Sequence, residues 1–302
     1  LASAQLACAL GILGQRRMSG RFMKRAEQSA VAMNDPAAHA QVCYLDSLWR
    51  IGYGEWDVVD RRLDQSQQLA LAAGDQLAWC NAQAIRFWSL YYRGDQAALE
   101  RTAQALLSHA QNSGNVQQEI WALRCKSLCV LHSDRAREAA DILRLSTSAL
   151  PGSADLAERV SSKGAFALAL ARVGLHRDSV DAARETLQLL RGMQRPTVHS
   201  TLPGISGVAE VLFRGREAGL SREYDQWPQW ERQVLRELNR YRRVFPVGEP
   251  QYLFWFGVAR WLEGQQDAAL TLWKRGLHVA RRLSLRRDES MILAELRRCE
   301  PK

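Results

Sequence analysis

Cys125, Cys129 and His132 come nearest of all residues in this sequence to metal chemistry. Offsets of four and seven put two thiols and an imidazole on one face of a helix, where zinc can take three of its four ligands. Structural zinc sites usually show two close ligand pairs, and no second pair follows. The plainer reading is that both cysteines stand where alanine would on a packed face, with His132 near the helix end. Other chemical signatures are missing too. The sequence holds no G-x-x-x-x-G-K-[ST] phosphate loop, no G-x-G-x-x-G after a strand, no H-E-x-x-H and no G-x-S-x-G. The expectation is no catalytic residue, no metal and no cofactor, hence no enzyme in its own right.

The ten tryptophans are the next residues with something to offer. Large rings fill gaps between stacked helices, and that is the default reading of each. The alternative is that some line a concave surface and grip a peptide or a flat ligand. Residues two to six positions before a helix-ending turn would then face inward. Trp88, Tyr92 and Arg172 occupy such positions and are the candidate partner-binding residues.

Basic residues cluster at Arg16-Arg17 with Arg21, Lys24 and Arg25, at Arg240 with Arg242 and Arg243, and at Arg281-Arg282 with Arg286 and Arg287. Most such clusters are solvated helix faces, or helix C-termini that complement the helix dipole. The functional alternative is contact with an acidic protein surface or a nucleic-acid backbone. The net charge is +9, yet acids and bases are mixed along most of the chain. A nucleic-acid binder concentrates its charge in one stripe, so a protein or peptide is the expected partner.

What must position these residues is a set of helices. A turn signal recurs at Gly14, Gly54, Gly94, Ser133-Asp134 and Gly174, a step of about 40 residues. A second series falls midway, at Asn34-Asp35, Gly74-Asp75, Ser113-Gly114-Asn115, Gly152-Ser153 and Gly192. Two interleaved series with one period mean two helices per unit: Gly ends one helix, and the following Asp or Asn caps the next. The segments between carry helical spacing, as in Leu77, Cys80, Ala84, Phe87, Leu90 and Tyr91. Small residues follow the first turn at about five and twelve positions, namely Ser19 and Ala26, Ser179 and Thr186, Ala269 and Gly276. There the paired helices can lie close.

This pattern predicts an all-α, tetratricopeptide-like solenoid with its repeat stretched to about 40 residues; a HEAT-like array has a similar period. Strand signals are absent. The repeats run with even period over 1–195. From 196 to 302 they continue as one solenoid, but with irregular linkers. Pro196, Pro203, Gly204 and Gly207 mark a longer connection before a helix from Ile205, and Phe245 to Pro250 is a firm break. Met291 to Arg298 is expected to cap the end.

No apolar run reaches the roughly 18 to 20 residues of a membrane span. The uncharged stretch Leu1–Gln15 lacks the basic segment of a signal peptide. The six cysteines are irregularly spaced and read as small buried hydrophobes, which suggests a reducing, cytoplasmic setting. An opening on Leu1 is expected of a piece cut from a longer chain.

Arg243-Val244-Phe245-Pro246-Val247-Gly248-Glu249-Pro250, followed by Leu253, Trp255, Gly257, Trp261, Leu262 and Gly264, resembles the C-terminal helical region of bacterial cyclase and AAA-type ATPase signalling proteins. Ser206 to Val211 and the Gly54-Glu55-Trp56 turn are similar to that family as well. In such proteins catalytic and nucleotide-hydrolysing domains precede the helical region, and neither is present in this sequence. The resemblance implies a regulatory or scaffolding role, in which the surface binds a protein or peptide, or a segment of its own parent chain. The alternative is a superhelical domain that closes around a small molecule and controls an attached effector.

Overall fold

The computed structural model describes residues 1–149 and 155–299; the turn expected at Gly152-Ser153 lies outside them. The described residues form fifteen α-helices and no strand. In chain order these are α1 (Ala2–Ile12), α2 (Arg16–Ala32), α3 (Pro36–Arg50), α4 (Trp56–Ala72), α5 (Gln76–Arg93), α6 (Gln96–Ser113), α7 (Val116–His132) and α8 (Ala136–Ala149). There follow α9 (Leu156–Arg172), α10 (His176–Gly192), α11 (Leu202–Glu217), α12 (Trp227–Val244), α13 (Glu249–Leu262), α14 (Gln266–Arg282) and α15 (Arg286–Cys299). No helix among the described residues is long and apolar enough to cross a membrane.

The helix ends follow from the turn residues. Gly14, Gly54, Gly94, Asp134 and Gly174 all have positive φ, and so do Asn34, Gly74 and Gly114 in the midway series. This is the left-handed conformation that stops a helix. Asp35, Asp75 and Asp95 then accept hydrogen bonds from the backbone N–H groups of Ala38, Ala78 and Ala98 at 2.9, 2.9 and 3.1 Å. Each such cap is worth about 1 kcal/mol to the helix it starts.

The chain divides into two compact units, Leu1–Cys125 and Lys126–Lys302. The division falls inside α7. Within the first unit, successive helices from α1 to α6 pack on one another, and α3 also touches α1 and α5. The second unit repeats the scheme from α8 to α15, with α11 against α9 and α13, and α13 against α15. Ser19, Ala26, Ser179, Thr186, Ala269 and Gly276 are all buried.

Two sequence expectations need correction. Pro203, Gly204 and Gly207 do not belong to a connection: α11 begins at Leu202 and contains all three. Pro203 sits in the first turn, where a missing N–H costs nothing. The glycines face α9 at backbone distance. A Cβ on Gly204 would lie 2.2 Å from Val160 O, and one on Gly207 would lie 2.5 Å from Gly164 O. The break at Phe245–Pro250 is shorter than expected, because a 3-10 turn spans Pro246–Gly248 and α13 starts at Glu249 with Pro250 in its first turn.

One buried polar group makes the second unit sensitive to pH. Asp288, near the start of α15, accepts a hydrogen bond from Gln251 Nε2 at 2.5 Å. Gln251 Oε1 in turn accepts from Ser206 Oγ at 3.1 Å and Trp255 Nε1 at 3.2 Å, so α11, α13 and α15 meet there. Burial pushes the Asp288 carboxyl up to about 6, against the charge of Arg287 and the Gln251 bond. A carboxyl raised in the folded state penalises folding once ionised. The penalty is absent below the unfolded value near 3.8 and grows to about 3 kcal/mol as pH rises through 6. Asp288→Asn keeps the acceptor oxygen and loses the charge. Urea denaturation at pH 4 and pH 7.5 should find the variant more stable than the wild type only at the higher pH. Equal differences at both would mean that folding does not raise the Asp288 pKa.

Candidate functional site

Trp88 and Tyr92 lie on α5 in the first unit and are 2% and 4% exposed. The Trp88 ring meets Phe87 at 5.4 Å, Tyr91 at 5.5 Å and Tyr92 at 6.4 Å, and the Arg124 guanidinium lies 5.3 Å from its centroid. The two candidates are brought together, but as part of an interior aromatic cluster. Ring faces already covered by neighbours offer no area to a partner. Arg172 ends α9 in the second unit. It donates to Glu210 Oε1 from Nη2 at 2.9 Å and Nε at 3.2 Å, and from Nη1 to Leu131 O at 3.1 Å. Its donors are therefore committed within the chain.

Cys125, Cys129 and His132 share α7, as their spacing predicts, and both cysteines are buried. Among the described residues no three His, Cys, Asp or Glu side chains are grouped to hold a metal ion. Nε2 of His132 is shielded from solvent although the residue as a whole is only half-buried. Burial first, then the charges of Arg287 and Arg172, holds its pKa well below the usual value and keeps the ring neutral. Three buried thiols elsewhere in the chain are equally quiet. Burial raises Cys8 and Cys43 to about 12 and Cys80 to about 11, far from the thiolate needed for nucleophilic work.

Elsewhere in the second unit an ion network ties α11 to α15. Arg214 pairs with Glu295 at 2.6 Å and Glu217 at 2.7 Å, and Arg298 pairs with Glu217 at 2.9 Å and with Glu295. Burial raises the Glu295 pKa, and hydrogen bonds from Arg214 and Arg298 outweigh it, so the carboxylate stays charged. These charges satisfy one another.

The cleft between α10 and α12 is different. Arg191, Gln229, Arg232, Gln233, Arg236 and Glu237 line an open cavity of about 500 Å³. Its floor is fixed. Gln233 is buried, donates to Leu187 O at 2.7 Å, and accepts from Arg191 Nη2 at 3.2 Å. Glu237 is neutralised by Arg240 at 2.7 Å, and Arg240 also caps α10 through Met193 O at 3.1 Å. Arg232 and Arg236 are exposed, one helical turn apart. Among the described residues, no acid pairs with Arg191, Arg232 or Arg236. The cleft thus presents three guanidinium groups against one carboxylate that is already neutralised.

Reading the sequence by adjacency picks out Arg240, Arg242 and Arg243 in this region, and two of these have structural work. Arg242 lies 4.4 Å from the Tyr252 ring centroid and 3.6 Å from Glu249. The usable signal is the helical spacing of Arg232, Arg236, Arg240 and Arg243, which share one face of α12. No protein-family model matches the chain, and no curated protein matches it in sequence.

Proposed function

We propose that the chain is a tetratricopeptide-like helical-repeat module that binds a protein or peptide segment and acts as a regulatory or scaffolding part of a larger signalling protein. The observation that carries this reading is the run of left-handed residues at 14, 54, 94, 134 and 174, one every forty positions. Those at 14, 54, 94 and 174 follow α1, α3, α5 and α9, which pack on their chain neighbours. A chain built by repetition displays a long surface without needing a single deep pocket. The committed donors of Arg172 and the buried rings of Trp88 and Tyr92 shift the contact surface away from those residues, toward the open cleft of α10 and α12. The resemblance of residues 243–264 to the helical regions of cyclase and ATPase signalling proteins supports the regulatory half of the reading.

The purified chain should retain a distinct class of peptide when offered an array of acidic, basic and amphipathic segments. No retention of any class would overturn the reading. Retention of none, combined with thermal stabilisation by a metabolite, would favour the small-molecule sensor instead. A ligand at one hundred times its Kd adds about 2.7 kcal/mol, enough to move the midpoint by several degrees.

A further inference from the structure

We infer that the cleft between α10 and α12 is the docking site for an acidic peptide segment, rich in Glu and Asp, of a protein partner. The inference rests on the proposed partner-binding role and specifies which surface acts and what it takes. Arg191 approaches from the end of α10, and Arg232 and Arg236 from the exposed face of α12, around one cavity. Guanidinium groups hold carboxylates bidentately, and three of them around one cleft match two or three acidic side chains in sequence. Gln229 is exposed at the rim, and its side-chain amide can pair with the peptide backbone of an extended segment. Arg243 continues the row one helical step beyond Arg240 and is exposed. Over this row the α12 face is roughly 16 Å long, the length of about five extended residues.

The same charge would attract a nucleic-acid backbone, but the surroundings do not suit one. Proteins that hold single strands set aromatic platforms beside their cations. The aromatics of α12, Trp227, Trp230 and Tyr241, are all buried, and the Trp227 Nε1–H is committed to Glu231 at 3.2 Å. A duplex would need a longer basic stripe than this cleft provides.

The test uses the full chain and a fluorescent Glu- and Asp-rich peptide, with its Gln- and Asn-substituted counterpart as control. Anisotropy should detect binding of the acidic peptide alone, weakening as salt is raised. The variant Arg232→Glu/Arg236→Glu should bind at least about tenfold more weakly, since two attractions become repulsions. Arg17→Glu/Arg21→Glu, equally exposed on α2 of the first unit, should bind as the wild type does. All four positions are on the surface, so circular dichroism and melting should be unchanged in both variants. Equal loss in the two variants would reduce the effect to overall charge and overturn the inference. So would tighter binding of an oligothymidylate through Arg232 and Arg236, or failure of the acidic peptide to bind. If another peptide class binds and the acidic one does not, the module reading stands and the acidic cleft falls; if no class binds, both fall.

Discussion

Gly204→Val is expected to destabilise the second unit by more than about 3 kcal/mol, with Gly164→Val doing the same, while Gly20→Ala in α2 stabilises by about 1 kcal/mol. The opposite signs come from what surrounds each residue. Glycine inside a helix costs about 1 kcal/mol relative to alanine through backbone entropy, so adding a methyl should help wherever there is room. At Gly20 nothing lies within 4 Å of the added carbon. At Gly164 the carbon would stand 2.1 Å from Gly204 O, and at Gly204 it would stand 2.2 Å from Val160 O. These atoms are backbone and cannot rotate away, so α9 and α11 must separate. Separation would uncover the apolar contacts of Val160, Leu168, Ile205 and Val208, all buried. The readout is the urea midpoint and the melting temperature, which should fall by roughly 10 °C or more for the valine variants. If Gly204→Val were as stable as Gly20→Ala, the helices would not touch as described.

The same glycines mark where sequence reading succeeds and where it stops. At Gly14, Gly54, Gly94 and Gly174 the residue is isolated between two periodic segments, and its left-handed role is legible from spacing alone. Gly204 and Gly207 carry the same letter with a neighbouring proline, so local rules read a linker there. Their actual role depends on a helix forty residues earlier in the chain, which local rules do not see. Burial behaves similarly. The 3.6-residue period identifies which face of α5 is apolar, and Trp88 does lie on a packed face. Whether a packed face looks into a groove or into a neighbouring helix is decided by packing, and Phe87, Tyr91 and Arg124 decide it for Trp88. Arg172 reads as an exposed cation from sequence because its partners, Glu210 and the carbonyl of Leu131, lie about forty residues away on either side. The α10–α12 cleft escaped for a related reason. Its charge comes from two helices and is not adjacent in the chain, so a search for basic runs lands on Arg240, Arg242 and Arg243.

The other large effect concerns a ring and the glycine that receives it. Trp273 on α14 is fully buried, and its Nε1–H donates to Phe254 O at 3.0 Å. Its indole lies against Gly257 of α13, where a Cβ would fall 2.4 Å from Nε1 and 2.7 Å from Cδ1. Trp273→Ala should cost about 3 to 5 kcal/mol, through a cavity and a carbonyl left without its donor. Gly257→Ala should also destabilise, since the methyl and the ring cannot share the space. Together the two changes should cost less than the sum of the single effects, by at least about 1 kcal/mol, because the alanine methyl enters room the ring has vacated. Gly257→Ala alone would push α14 away from α13. Denaturation of the wild type, both single variants and the double variant measures the coupling directly. Strict additivity would mean that the ring and the glycine act independently, and that the close fit between α13 and α14 depends on some other contact.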